Sequence, residues 1–122
     1  MNTPVSAMAT PSLQPLHQQR CSHQAGPALS PAGQVAMLTQ VQGWHIDAQC
    51  PGGVLTRTFD FPDYHRTLTF VNAVAWIANE QDHHPDIDFG YRRCTVRFHT
   101  HSVNGLSLND FICAARVDQL FA

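Results

Sequence analysis

The segment at residues 62–85 constrains this chain most. Pro62-Asp63 suits a helix entry, because proline fits the first turn and aspartate favours the positive end of the helix. Pro85 disfavours helix just before it, so the spacing predicts an end near residues 80–82. Between these limits Tyr64, Leu68, Val71, Ala75 and Ala78 make one helical stripe, which Phe70, Val74 and Ile77 widen. So broad an apolar face must pack on a sheet or a partner.

The flanking segments offer such a sheet. Trp44, Ile46 and Ala48 alternate as in a strand, and Pro51-Gly52-Gly53 signals a turn. Residues 54–61 read as a second strand, with Leu55, Arg57, Phe59 and Phe61 inward and Arg57 the exception among them. Residues 89–100 read as a long third strand whose core face holds Arg92, Cys94, Val96 and Phe98. Asn104-Gly105 makes a turn, and Ser107 with Asp110 three residues on resembles a capping box. The helix that follows would bury Phe111, Ala115, Val117, Leu120 and Phe121. A short helix carrying Val35, Leu38 and Val41 precedes Gly43. An antiparallel sheet with helices on one face is the simplest layered solution, an α+β fold.

Residues 1–31 hold most of the prolines, with Gln and Ser between them and no hydrophobic period. They are expected to be a disordered tail, leaving residues 32–122 as the folded domain. The stretch lacks the charged start and apolar block of a secretory signal; its Ser, Thr and Ala content leaves an organellar transit peptide as the alternative.

Composition excludes several classes. No basic block exists to grip phosphates, and the net charge is −2, so a nucleic-acid binder is not expected. No apolar run approaches the roughly 18 residues of a membrane span. Cys21, Cys50, Cys94 and Cys113 form no CxxC pair, which suits reduced thiols in a cytoplasm. Charged residues make up only 13% of the chain, which points to a modest solvated surface or to surface hidden between subunits. Eight histidines against seven Lys and Arg ask instead for acid–base chemistry or a metal.

The chemistry-bearing residues are Asp82-His83-His84-Pro85, then Thr100-His101, then Gly105-Leu106-Ser107 and Asp110. Helix ends, strand ends and loops gather at one edge of a layered domain, where two imidazoles and a carboxylate suit proton shuttling. Each residue alone has a plainer reading: adjacent loop histidines are commonly surface groups, and Asp110 is a helix-start residue. The combination carries the case. A metal is the competing chemistry, since His99 and His101 share a strand face and with His83 or His84 would make a three-histidine zinc site. Against it, adjacent histidines rarely reach one ion, and neither HExxH nor a cysteine pair is present.

In register, these motifs resemble the signature of the pterin-4a-carbinolamine dehydratases, over residues 35–120, with Gly43-Trp44 and residues 59–61 agreeing upstream. Residues 91–94 and 111–115 look like the bacterial branch. The resemblance implies a four-stranded antiparallel sheet with helices on one side, one strand more than the pattern above, with the long third strand the place to split or pair. It also implies a dimer or tetramer, a 4a-hydroxytetrahydrobiopterin substrate and a quinonoid dihydropterin product, with no metal or redox cofactor. His83, His84, His101 and Asp110 are then the catalytic residues, with Asp82, Pro85 and Thr100 lining the substrate. Our assignment pairs His84 with His101 for proton transfer, gives His83 the orienting role, and sets Asp110 to fix His101 or the helix start. A functional link to phenylalanine hydroxylase follows from the substrate. Animal members that resemble this chain also serve as dimerisation cofactors of a homeodomain transcription factor, the alternative function. Two departures stand out: Asn79 replaces a family glutamate, and Ile87 replaces a family aromatic.

Overall fold

The computed structural model describes residues 14–24 and 26–122. The expected disorder of residues 1–13 lies outside the described residues. Helix α1 spans Pro31–Leu38, and Ser30 caps it by accepting the Gly33 N–H at 3.1 Å. It starts earlier than the apolar pattern suggests because Ser30-Pro31 supplies both a cap and a preset φ. Val41 lies beyond its end yet is buried, while Val35 on the helix is exposed.

Strands β1 (His45–Asp47) and β2 (Val54–Asp60) form the expected antiparallel hairpin, with Ile46 opposite Leu55. Leu55 and Phe59 point into the core. Arg57 shares their face by finding partners at its rim: its Nη1 donates to Asp118 Oδ1 at 3.1 Å and to the Gln42 carbonyl at 3.3 Å. The guanidinium also lies 4.6 Å from the Phe59 ring centroid. The Trp44 indole donates to the same carboxylate at 2.9 Å. Burial raises the Asp118 pKa despite these donors.

Helix α2 (Tyr64–Gln81) begins at Asp63, whose side chain accepts the Arg66 N–H at 2.8 Å. Its buried side is Thr67, Phe70, Val74, Ile77, Ala78 and Gln81. The face is therefore rotated from the predicted stripe: Tyr64, Leu68 and Ala75 point outward beside Trp76, which is 62% exposed. The helix has two apolar sides, and only one meets the sheet.

The strand expected at residues 89–100 is β4 (Arg93–Phe98) preceded by a turn; the fourth strand, β3 (Asp86–Phe89), lies almost wholly before the expected start, and the Gly90 N–H on the Arg93 carbonyl at 2.8 Å closes the turn between them. The sheet order is β1-β2-β4-β3, all antiparallel, so the α+β fold with four strands stands. Cys94, Val96 and Phe98 are buried as the alternation predicts; Arg92 falls in the turn and is exposed. Helix α3 (Leu108–Asp118) lays Phe111, Ile112, Cys113, Ala114 and Val117 into the core, while Leu120 and Phe121 follow in an exposed terminal turn. Side chains of this size each contribute on the order of 1.5–3 kcal/mol when fully buried.

Part of the stretch read as tail lies against this core. A 3-10 turn at Leu16–Gln18 buries Leu16. The Cys21 N–H donates to Gln81 Oε1 at 2.8 Å, and Asn109 bonds the Ser22 backbone through both ends of its amide at 3.0 and 2.8 Å. Arg116 Nε donates to the Gln19 carbonyl at 3.0 Å. One apolar anchor and several polar ties order these residues, a pattern without the periodicity by which helices and strands announce themselves.

Candidate active site

Three chain reversals build the site. Helix α2 ends where Asp82 takes left-handed dihedrals, φ 51° and ψ 43°, a conformation aspartate tolerates better than most residues. The Asp82 N–H bonds back to Ala78 and Asn79 carbonyls, and the His83 N–H to Ala78 at 3.2 Å. This turn lays the His83 ring parallel to Phe98 of β4, with centroids 6.0 Å apart and an angle of 9°.

Beyond β4, Thr100 and Gly105 pair through two backbone hydrogen bonds of 2.9 and 3.3 Å. They enclose a 3-10 turn, His101–Val103, that carries His101 outward. Asn104 closes it with φ 51°.

The third reversal is the start of α3. Ser107 and Asp110 form the capping box that their spacing predicts. The Asp110 carboxylate is wholly buried and accepts three donors. His83 Nε2 lies 2.6 Å from Oδ1; the Thr100 hydroxyl at 2.7 Å and the Ser107 N–H at 2.9 Å reach Oδ2. The Ser107 hydroxyl in turn lies 2.8 Å from Thr100 Oγ1. Because a carboxylate only accepts, the proton between the pair sits on His83 Nε2. Burial acts against a charged His83, but the hydrogen bond and charge of Asp110, with smaller help from Cys21 and Asp82, outweigh it and raise the pKa.

These reversals meet at a cavity of about 310 Å³, within the usual range for small-molecule sites. Among the predicted residues, Asp82, His83, His84, Thr100 and His101 line it. Asp110 lies beneath, reaching the cavity through His83 and the helix start rather than through His101. Pro85 does not line it; it stands between His84 and β3. His84 and His101 are exposed at the cavity, whereas His83 keeps only an edge there. Neither departure reaches the cavity: Asn79 is exposed on α2, and Ile87 packs against the core.

The remaining wall escaped the sequence reading. Cys21, Ser22 and His23 come from the stretch read as tail, and His23 Nε2 lies 3.2 Å from Asp82 Oδ2. Gln81, Ser102 and Asn109 also contribute. Asn109 sits one residue from Asp110 in the capping segment, the one signal that pointed toward it. His99, weighed in sequence only as a metal ligand, lines the cavity with Nδ1 donating to the Gly53 carbonyl at 2.9 Å. Its ring lies edge-on to His101 at 5.1 Å. Among the described residues, no three His, Cys, Asp or Glu side chains converge as a metal site.

Residues 27–120 match the family model described as Pterin 4 alpha carbinolamine dehydratase. A protein of Xanthomonas campestris pv. campestris strain 8004, provisionally named a pterin-4-alpha-carbinolamine dehydratase, is 52% identical over 109 residues, covering 88% of this chain and 91% of its own. A relative from Xanthomonas euvesicatoria with the same provisional name is 51% identical over the same span and coverage. Among solved structures, a transcriptional coactivator/pterin dehydratase from Brucella melitensis superposes with a TM-score of 0.71 at 28% identity, covering 77% of this chain and 98% of its own. A pterin dehydratase-like protein identified as a RuBisCO assembly factor in the alpha-carboxysome gives 0.55 at 26% identity, covering 65% and 89%.

Proposed function

The chain belongs to the pterin-4a-carbinolamine dehydratase family, and from that premise we propose that it is a hydro-lyase removing water from a 4a-hydroxytetrahydropterin at the histidine-lined cavity. The observation that carries the reading is the meeting of His83, His84 and His101 at one cavity with Asp110 buried beneath it.

The reaction needs one proton delivered and one removed. The C4a–O bond breaks as its hydroxyl is protonated and leaves as water. The N5–H proton is taken, and the N5 electrons form the C4a=N5 double bond of the quinonoid dihydropterin. No electrons are exchanged with another molecule. Imidazole suits both transfers near neutral pH. In this reading His84 and His101, both exposed at the cavity, exchange protons with substrate. His83, hydrogen-bonded through Nε2 to Asp110, which raises its pKa against burial, keeps Nδ1 for hydrogen bonding to the pterin and orients it. Asp82 and Thr100 shape the substrate wall, with Pro85 stiffening the turn behind His84.

The assignment extends to context. Recycling of tetrahydrobiopterin after aromatic amino acid hydroxylation, with phenylalanine hydroxylase as the supplier, is the setting that the family substrate suggests. A cytoplasmic location suits the four free cysteines, and no described helix is long and apolar enough to cross a membrane. A homodimer or homotetramer is supported by the outer face of α2, where Tyr64, Leu68 and Trp76 are exposed, and by Tyr91, stacked on Tyr64 at 6.0 Å.

The test follows decay of the 4a-carbinolamine by stopped flow with purified protein. Acceleration over spontaneous dehydration is expected; decay at the spontaneous rate would reject the reading.

A further inference from the structure

Two of the four cysteines have no part in the proton transfers of dehydration yet sit beside that site. Cys21 Sγ and Cys113 Sγ lie 3.5 Å apart although 92 residues separate them in the chain. Cys21 belongs to the segment that walls the cavity and is partly buried; Cys113 lies in α3 and is fully buried. As a thiol, Cys21 donates to the Asn109 carbonyl at 3.6 Å; as a thiolate it accepts from Cys113. The two groups differ in acidity. The hydrogen bond from Cys113 lowers the Cys21 pKa against the effect of burial, aided by the neighbouring His83 and Arg116 and opposed by Asp110. The same contact and deep burial push the Cys113 thiol strongly upward. A more acidic, accessible thiol beside a buried, protonated one is the arrangement of an attacking and a resolving cysteine.

We propose that Cys21 and Cys113 are a peroxide-responsive dithiol, whose oxidation closes a reversible disulfide fastening residues 21–23, one wall of the cavity, to α3. The Cys21 thiolate attacks hydrogen peroxide, breaking the O–O bond. It becomes a sulfenic acid, and the released hydroxide takes a proton to leave as water. The Cys113 sulfur then attacks the sulfenic sulfur, expelling the hydroxyl with the Cys113 proton as a second water. Two thiols are oxidised and one peroxide is reduced. Closure shortens the gap to a bond length of about 2.05 Å. The movement falls to Cys21, which lies outside any helix or strand. Cys50 and Cys94 have no such relation to either residue: Cys50 contacts Asp47 and Arg97, and Cys94 lies on β4, its pKa pushed up to about 11 by burial.

The experiment treats the full-length reduced chain with a small excess of hydrogen peroxide and reads intact mass and peptide maps. Wild type should lose two hydrogens per chain and yield a peptide linking Cys21 to Cys113, reversed by dithiothreitol. Cys50→Ser should behave as wild type. Cys21→Ser should form no bond at Cys113, and Cys113→Ser should hold Cys21 as a sulfenic acid captured by dimedone. Because Cys113→Ser disturbs a buried position, the Cys21→Ser and wild-type maps decide alone if it fails to fold. A wild-type map with Cys21 unreacted, linked to another cysteine or chain, or converted directly to sulfinic acid would overturn the proposal.

Discussion

His83 Nε2 donates to Asp110 Oδ1 at 2.6 Å, joining the reversal just beyond α2 to the first turn of α3. Asp110 is wholly buried, and His83 retains only an edge on the cavity. One carboxylate thus serves a helix cap, a strand-end threonine and a cavity histidine. Replacing Asp110 with Ala strips all three. The expected loss is about 3–5 kcal/mol, the range for breaking a buried charge pair, with dehydratase activity falling as His83 loses its orientation. Urea unfolding with activity measured on the folded fraction checks both.

The same pair predicts a pH dependence. The folded-state pKa of His83 is raised, so its protonated ring is favoured by folding. That contribution is complete below the unfolded histidine value of about 6.5 and is lost as pH rises through the higher folded value. His83→Gln should remove it. The stability difference between wild type and His83→Gln, measured by denaturant titration, should shrink as pH rises from about 6.5 through the folded value. A difference that grows with pH would contradict the assignment.

Much of this architecture was legible in sequence. The capping box, the β1–β2 hairpin and the start of α2 follow from local chemistry, because proline, glycine and capping side chains act within a few residues. What failed needed information from farther away. The apolar residues of α2 occupy two sides of the helix, and no periodicity reveals that Phe70, Val74 and Ile77 win the sheet while Tyr64 and Leu68 do not. The β3–β4 turn at residues 90–92 was hidden inside an apparently continuous alternation. Asp110 was set beside His101 or the helix start; its bond to His83 depends on the left-handed turn at Asp82, which the sequence did not disclose.

Leu16 anchors the segment that forms one wall of the cavity. Leu16→Ala should cost about 2–3 kcal/mol, near the low end for a buried leucine. Deleting residues 1–24 should raise KM more than it lowers kcat, because Ser22 and His23 leave the wall while His84 and His101 remain. Thermal unfolding and steady-state kinetics separate the two effects.

Gly52 holds the loop that carries His101. Its φ is +79°, and an added Cβ would collide with the Asn104 carbonyl and approach Gly105 Cα to 2.6 Å. Gly52→Ala should cost about 1–3 kcal/mol through backbone strain and lower kcat by shifting the 101–105 loop. Gly90→Ala, where an added Cβ meets nothing within 4 Å, is the matched control and should leave kcat unchanged.

The central claim is that imidazoles at this cavity move the two protons of dehydration. Single-turnover decay of a 4a-hydroxytetrahydropterin with His84→Ala and His101→Ala tests it most directly, with circular dichroism confirming the fold. Each substitution should slow the catalysed step by about 10²-fold or more, the usual worth of a positioned acid or base. Wild-type rates from both folded variants would contradict the account.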